Sequence, residues 1–81
     1  MNALANKFKL HAEILKETIE GPKGNHGDDT AAVNFIHDGD EYTVTVTSNS
    51  KILSASLWKG SWCMETVMGK DGTLFVGEIK L

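Results

Sequence analysis

Two hydrophobic periods divide this chain near residue 30. Stepping 100° per residue from Ala3 to Glu20, Leu4, Phe8, Leu15 and Ile19 fall on one stripe, and Leu10 and Ile14 widen it. Lys9, Glu13, Lys16 and Glu20 lie opposite, with unlike charges at helical spacing. Asn2 suits an N-cap and Gly21-Pro22 is a stop signal, so one amphipathic helix is expected over Ala3–Glu20. Gly21 to Asp29 reads as a glycine-rich, charged connecting loop. From Thr30 the period is two. Tyr42-Thr43-Val44-Thr45-Val46-Thr47 alternates without a break and is rich in β-branched residues, as a half-buried strand requires.

Four turn signals punctuate this second part: Asp38-Gly39, Asn49-Ser50, Lys59-Gly60 and Asp71-Gly72. Taken as two-residue hairpin loops, they set a register. The first pairs Phe35 with Tyr42, Val33 with Val44 and Ala31 with Val46. The second pairs Val46 with Leu53, Val44 with Ala55 and Tyr42 with Leu57. The third pairs Leu57 with Trp62 and Ala55 with Met64. The fourth pairs Met68 with Phe75, Met64 with Ile79 and Trp62 with Leu81. Every pair is apolar with apolar, and a slip of one residue would turn a whole set to the wrong face. The expected fold is α+β, one domain over residues 1–81: an N-terminal amphipathic helix packed on one face of a five-stranded antiparallel β-meander. Its core joins Leu4, Phe8, Leu15 and Ile19 to Val33, Phe35, Tyr42, Val44, Val46, Leu53, Leu57, Trp62, Met64, Met68, Phe75 and Ile79. Trp62 points inward in this register, so its truncation is expected to cost roughly 3–5 kcal/mol.

The other face then carries Asn34, Ile36, Thr43, Thr45, Thr47, Ile52, Ser54, Ser56, Trp58, Ser61, Cys63, Glu65, Val67, Val76, Glu78 and Lys80. Its centre is small and polar, and an antiparallel sheet can leave such a face wet. Trp58 stands out, placed opposite Glu41 and Ser61. Aromatic anchors are enriched where partners bind. The candidate partner-binding residues are therefore Trp58, Glu41, Thr43, Ser56 and Ile52. The outer strands, Thr30–His37 and Thr73–Leu81, contain no proline and offer edges to a symmetric mate or a partner strand.

Composition narrows the partner class. With 81 residues, burial reaches only about 60–65% of the unfolded surface, and self-association is the remaining route to extra stability. Cys63 is the sole cysteine, which argues against a disulfide scaffold and a zinc site and favours a cytoplasmic location. The net charge is -3, with eleven acids, eight lysines and no arginine. Arginine is the preferred fork for phosphate and guanine, so direct nucleic-acid binding is not expected. No run approaches the roughly 20 apolar residues of a membrane span, and no signal peptide opens the chain.

Candidate chemistry is sparse. His11 sits in the apolar stripe and reads as a hydrogen-bonded core or rim histidine. His26-Gly27-Asp28-Asp29 and His37-Asp38-Gly39-Asp40-Glu41 set imidazole beside carboxylates, a donor set able to hold a divalent cation. The second cluster, however, coincides with a turn that demands Asp-Gly for its backbone. Cys63 has no histidine placed near it as a base. No phosphate loop or nucleophile elbow is present. No enzyme activity, cofactor or metal site is expected.

The run Leu57-Trp58-Lys59-Gly60-Ser61-Trp62, with Gly77-Glu78-Ile79-Lys80 after it, resembles the sheet region of the actin capping protein α subunit, whose hairpin shares a Trp-x-Gly-x-Trp pattern. The resemblance covers Thr30 to Leu81 and implies a cytoskeletal subunit fragment. The helix-on-meander outline is also similar to cystatin-like inhibitors. The leading expectation is a small acidic protein-binding module, homodimeric, of the inhibitor or adaptor type found in phages and mobile elements. It acts through the open sheet face or an edge strand. The alternative is a small-ligand or divalent-metal-binding protein using the His37–Glu41 turn and the Asn25–Asp29 loop.

Overall fold

The computed structural model describes residues 3–20, 29–49, 52–69 and Leu74. Helix α1 spans Ala3–Glu20; strands β1 to β4 span Asp29–His37, Asp40–Asn49, Ile52–Lys59 and Trp62–Met68. The strands form one antiparallel sheet in chain order, with the helix packed on it. The α+β helix-on-meander architecture is present, with four described strands rather than five. The fifth strand, expected over Thr73–Leu81, lies outside the described residues except for Leu74. Asn2, Gly21-Pro22, Asn25–Asp28 and the Asp71-Gly72 turn also lie outside them.

Helix α1 ends at Glu20, immediately before Gly21-Pro22. Its buried stripe is narrower than expected. Ala5, Phe8 and Ala12 are buried, with Leu4, Leu15 and Ile19 packed against the core. Leu10 and Ile14 are 59% and 55% exposed. They stand roughly 120–160° around the helix from Phe8, beyond the stripe a sheet can cover. The helix packs chiefly on β1 and β2, and the inward side chains of β3 join Phe8 and Ala12 in the same core.

The first hairpin has the expected register throughout: Phe35 opposes Tyr42, Val33 opposes Val44 and Ala31 opposes Val46. Asp38 and Gly39 have φ of 51° and 82°, the two positive angles of a type I′ turn. The second hairpin is displaced by two residues. Val46 opposes Ala55 and Val44 opposes Leu57, with strands ending at Asn49 and restarting at Ile52. A two-residue slip preserves every face, so the apolar set stays inward although the partners change.

The third hairpin departs further. Lys59 opposes Trp62, and the loop is Gly60-Ser61, not Lys59-Gly60. Gly60 has φ 61° and Ser61 is not among the positive-φ residues, the pattern of a type II′ turn. Trp58 opposes Cys63 while Leu57 opposes Glu65, which leaves Met64 as the extra residue of a β-bulge. Beyond it the alternation of β4 is inverted. Glu65 and Val67 now face inward, opposite Leu57 and Ala55, and Thr66 and Met68 face outward, opposite Ser56 and Ser54. Met68 is 59% exposed and Val67 packs against the core, the reverse of the expectation for both. Met64 is partly exposed as well.

The core comprises Phe8, Ala12, Tyr42, Val44, Val46, Leu53, Ala55, Leu57 and Leu74. Each fully buried large side chain among them contributes roughly 1.5–3 kcal/mol of transfer free energy. Leu74 is fully buried, a position the expected core did not include. Trp62, Met64 and Met68, expected inside, are all exposed.

Candidate partner-binding site

Trp58 projects from the outer face, as its strand position requires. Its neighbours are Thr43 on β2 and Cys63 on β4, not Glu41 and Ser61. The ring is half-buried because it folds onto the sheet, where Nε1–H donates to Thr45 Oγ1 at 3.0 Å. Hydroxyls around it bond to one another. Thr43 Oγ1 donates to Asn34 Oδ1 at 2.7 Å, and Ser56 Oγ lies 3.0 Å from Thr66 Oγ1. Thr66 Oγ1 is also 3.2 Å from Cys63 Sγ. The middle of the outer face therefore satisfies its own polar groups across the strands, which is why threonine and serine suit it.

The five residues singled out from the sequence do not form one cluster. Thr43, Ser56 and Trp58 share the end of the sheet nearer the Asp38-Gly39 turn. Glu41 continues that end on β2, opposite Ile36. Ile52 begins β3, opposite Asn49, about 20 Å along the strand from Trp58.

The residue that sequence reasoning missed is Trp62, 74% exposed. The type II′ turn returns the chain so that Trp62 is beside Lys59, on the side of the sheet that carries the core. Yet α1 packs on β1 and β2 and does not reach it. Lys59 reaches the other way. Its Nζ is 3.3 Å from Asp40 Oδ2 and 5.9 Å from the Tyr42 ring centroid. That contact ties the loop end of the hairpin to β2, while the indole of Trp62 stays in solvent. A signal for this was present in the sequence: apolar residues occupy even positions at Trp62 and Met64 but an odd one at Val67, a change of phase within one strand.

Both described histidines make structural contacts, although His37 Nδ1 is buried without a hydrogen-bond partner. His11 Nδ1–H donates to Lys7 O at 2.7 Å, and its ring stacks on Phe35 at 4.8 Å. Phe35 stacks on Tyr42 at 5.6 Å, and His37 meets Tyr42 edge-on at 6.3 Å. The four rings make a row from the helix across the first hairpin. His37 Nε2 is 3.4 Å from Asp38 Oδ2, within the turn itself. Cys63 Sγ contacts Thr66 and the Glu65 carbonyl. Among the described residues no three His, Cys, Asp or Glu side chains converge as metal ligands, and no helix is long and apolar enough to cross a membrane. The His26 cluster lies outside those residues.

No protein-family model matches the chain, and neither curated proteins nor solved structures give a match. The likeness to the actin capping protein α subunit thus rests on the sequence runs Leu57–Trp62 and Gly77–Lys80, with no support from the comparisons.

Proposed function

We propose that this chain is a non-enzymatic protein-binding module, an inhibitor or adaptor acting in the cytosol, that engages its partner with the β3–β4 hairpin and also self-associates. The observation that carries the reading is Trp62, 74% exposed on a hairpin whose loop end carries the Lys59–Asp40 ion pair. A large indole held outside the core on a pre-ordered element has the character of an interface anchor. Met64 lies two residues along the same strand and extends the apolar surface. Trp58, on the reverse face, contributes a second aromatic surface framed by Thr43 and Ser56. The net charge of -3 favours a partner with an apolar pocket and a basic rim.

The test is photo-crosslinking in the native host from a reactive residue at position 62, with position 6 on the solvent side of α1 as the control. The reading predicts one dominant protein adduct from position 62, abolished by excess wild-type chain but not by excess Trp62→Ala chain. Equal competition by both chains would contradict it.

A further inference from the structure

We infer that two copies of this chain join through β1, edge to edge and antiparallel, about a two-fold axis at Val33, with Leu10 and Ile14 of each helix closing over the joint. The inference rests on the self-association proposed above and is independent of the Trp62 surface.

Strand β1 has a neighbour on one side only among the described residues. Its pairing with β2 runs through nine residues without a bulge, and it contains neither proline nor lysine. Edge strands are ordinarily guarded by one of these devices. By contrast, β4 at the opposite side carries the bulge at Met64.

The two-residue turn makes His37 and Asp40 a hydrogen-bonded pair, so Phe35, Val33 and Ala31 also direct their N–H and C=O groups to β2. Thr30, Ala32, Asn34 and Ile36 then direct theirs to the edge that no other described strand occupies. Lys7 bears this out, because its Nζ donates to Ile36 O at 3.4 Å from outside the sheet. Lys7, Leu10 and Ile14 follow at i, i+3 and i+7 and so form one helical stripe. Since Lys7 reaches the edge at Ile36, that stripe rises beside β1. Leu10 and Ile14 are its exposed apolar members.

The edge is complementary to itself. A two-fold axis at Val33 sets Ala32 opposite Asn34 of the mate and Thr30 opposite Ile36 of the mate, whose carbonyl takes the Thr30 N–H in place of, or together with, Lys7 Nζ. On the helix side it sets Ala31 against Phe35, small against large, and Val33 against itself. The strand pair and the four helix side chains together bury on the order of 1,000 Å², the threshold of a specific interface.

The experiment measures mass by light scattering across concentration and disulfide capture at the axis, all with the full chain. In a Cys63→Ser background, Val33→Cys occupies a non-hydrogen-bonded pair, where Cβ atoms approach closely enough for a disulfide. Mild oxidation should give a covalent dimer from Val33→Cys. The double variant Leu10→Lys/Ile14→Glu, which changes exposed helix positions only, should raise the dimer dissociation constant by about tenfold or more with unchanged circular dichroism. Ala32→Pro should do the same, because the N–H it removes faces the β1 edge. A monomer at every concentration would overturn both the dimer and its surface. A dimer undisturbed by these variants, or without capture at position 33, would overturn the surface and leave the proposed self-association standing.

Discussion

The β1–β2 and β3–β4 hairpins are each closed by two residues, yet one holds its register from end to end and the other breaks it. In the first, Asp38-Gly39 supplies the two positive φ angles of a type I′ turn, and the strands pair from His37–Asp40 to Asp29–Ser48. In the other, Gly60-Ser61 closes the loop and a bulge follows within two residues of the returning strand. The first hairpin is roofed by α1, where Phe8 and the His11–Phe35–Tyr42 row penalise any slip. In the last, the chief helix contacts are absent and the inward residues of β4 are only partly buried or exposed. Register is strongly held where a face is covered and weakly held where it is not. The bulge turns Val67 toward the core at the cost of turning Met68 out, and it leaves Trp62 uncovered.

The sharpest way to break this comparison is to attack the residue at which the two hairpins share a core. Leu57 is fully buried, opposes Val44 on one side and Glu65 on the other, and sits at the register shift. Leu57→Ala should lose roughly 2–5 kcal/mol in urea unfolding, enough to unfold most of a domain this small. A loss under 1 kcal/mol would place the core elsewhere. Next in size is a paired test of the inverted strand. Val67→Asp should cost about 1–3 kcal/mol by burying a carboxylate, whereas Met68→Asp should change stability by less than about 0.5 kcal/mol. The opposite ranking would restore the uninterrupted alternation and remove the bulge. Smaller again is the turn. A Cβ at Gly60 meets nothing within 4 Å, so Gly60→Ala should cost only the positive-φ strain, roughly 1–2 kcal/mol.

These contrasts also explain what could be read from the residues alone. The helix, the meander order and the first register follow from strong local signals that agree with the packing. The second register was legible in face but not in partner, because a two-residue slip leaves the alternation unchanged. Asn-Ser does not demand a turn conformation as Asp-Gly does. The β4 inversion was not read because a single bulged residue has no fixed sequence mark. Only the change of phase between Met64 and Val67 hinted at it. The candidate site suffered accordingly. Trp58 was placed on the correct face, but its indole N–H is committed to Thr45. Trp62, taken for core, is the more exposed aromatic. The apolar periodicity of α1 likewise merged two stripes that the sheet separates, one under Phe8 and one bearing Leu10 and Ile14.

The β3–β4 hairpin presents Trp62 to solvent while Trp58 lies against the sheet. Single-tryptophan variants measure it directly. With Trp58→Phe, the remaining Trp62 should emit at the wavelength of indole in water and be quenched by acrylamide nearly as efficiently as a free tryptophan. With Trp62→Phe, the remaining Trp58 should emit at shorter wavelength and be quenched less. A blue-shifted, protected Trp62 would contradict the account, returning that side chain to the core and leaving the hairpin without its anchor.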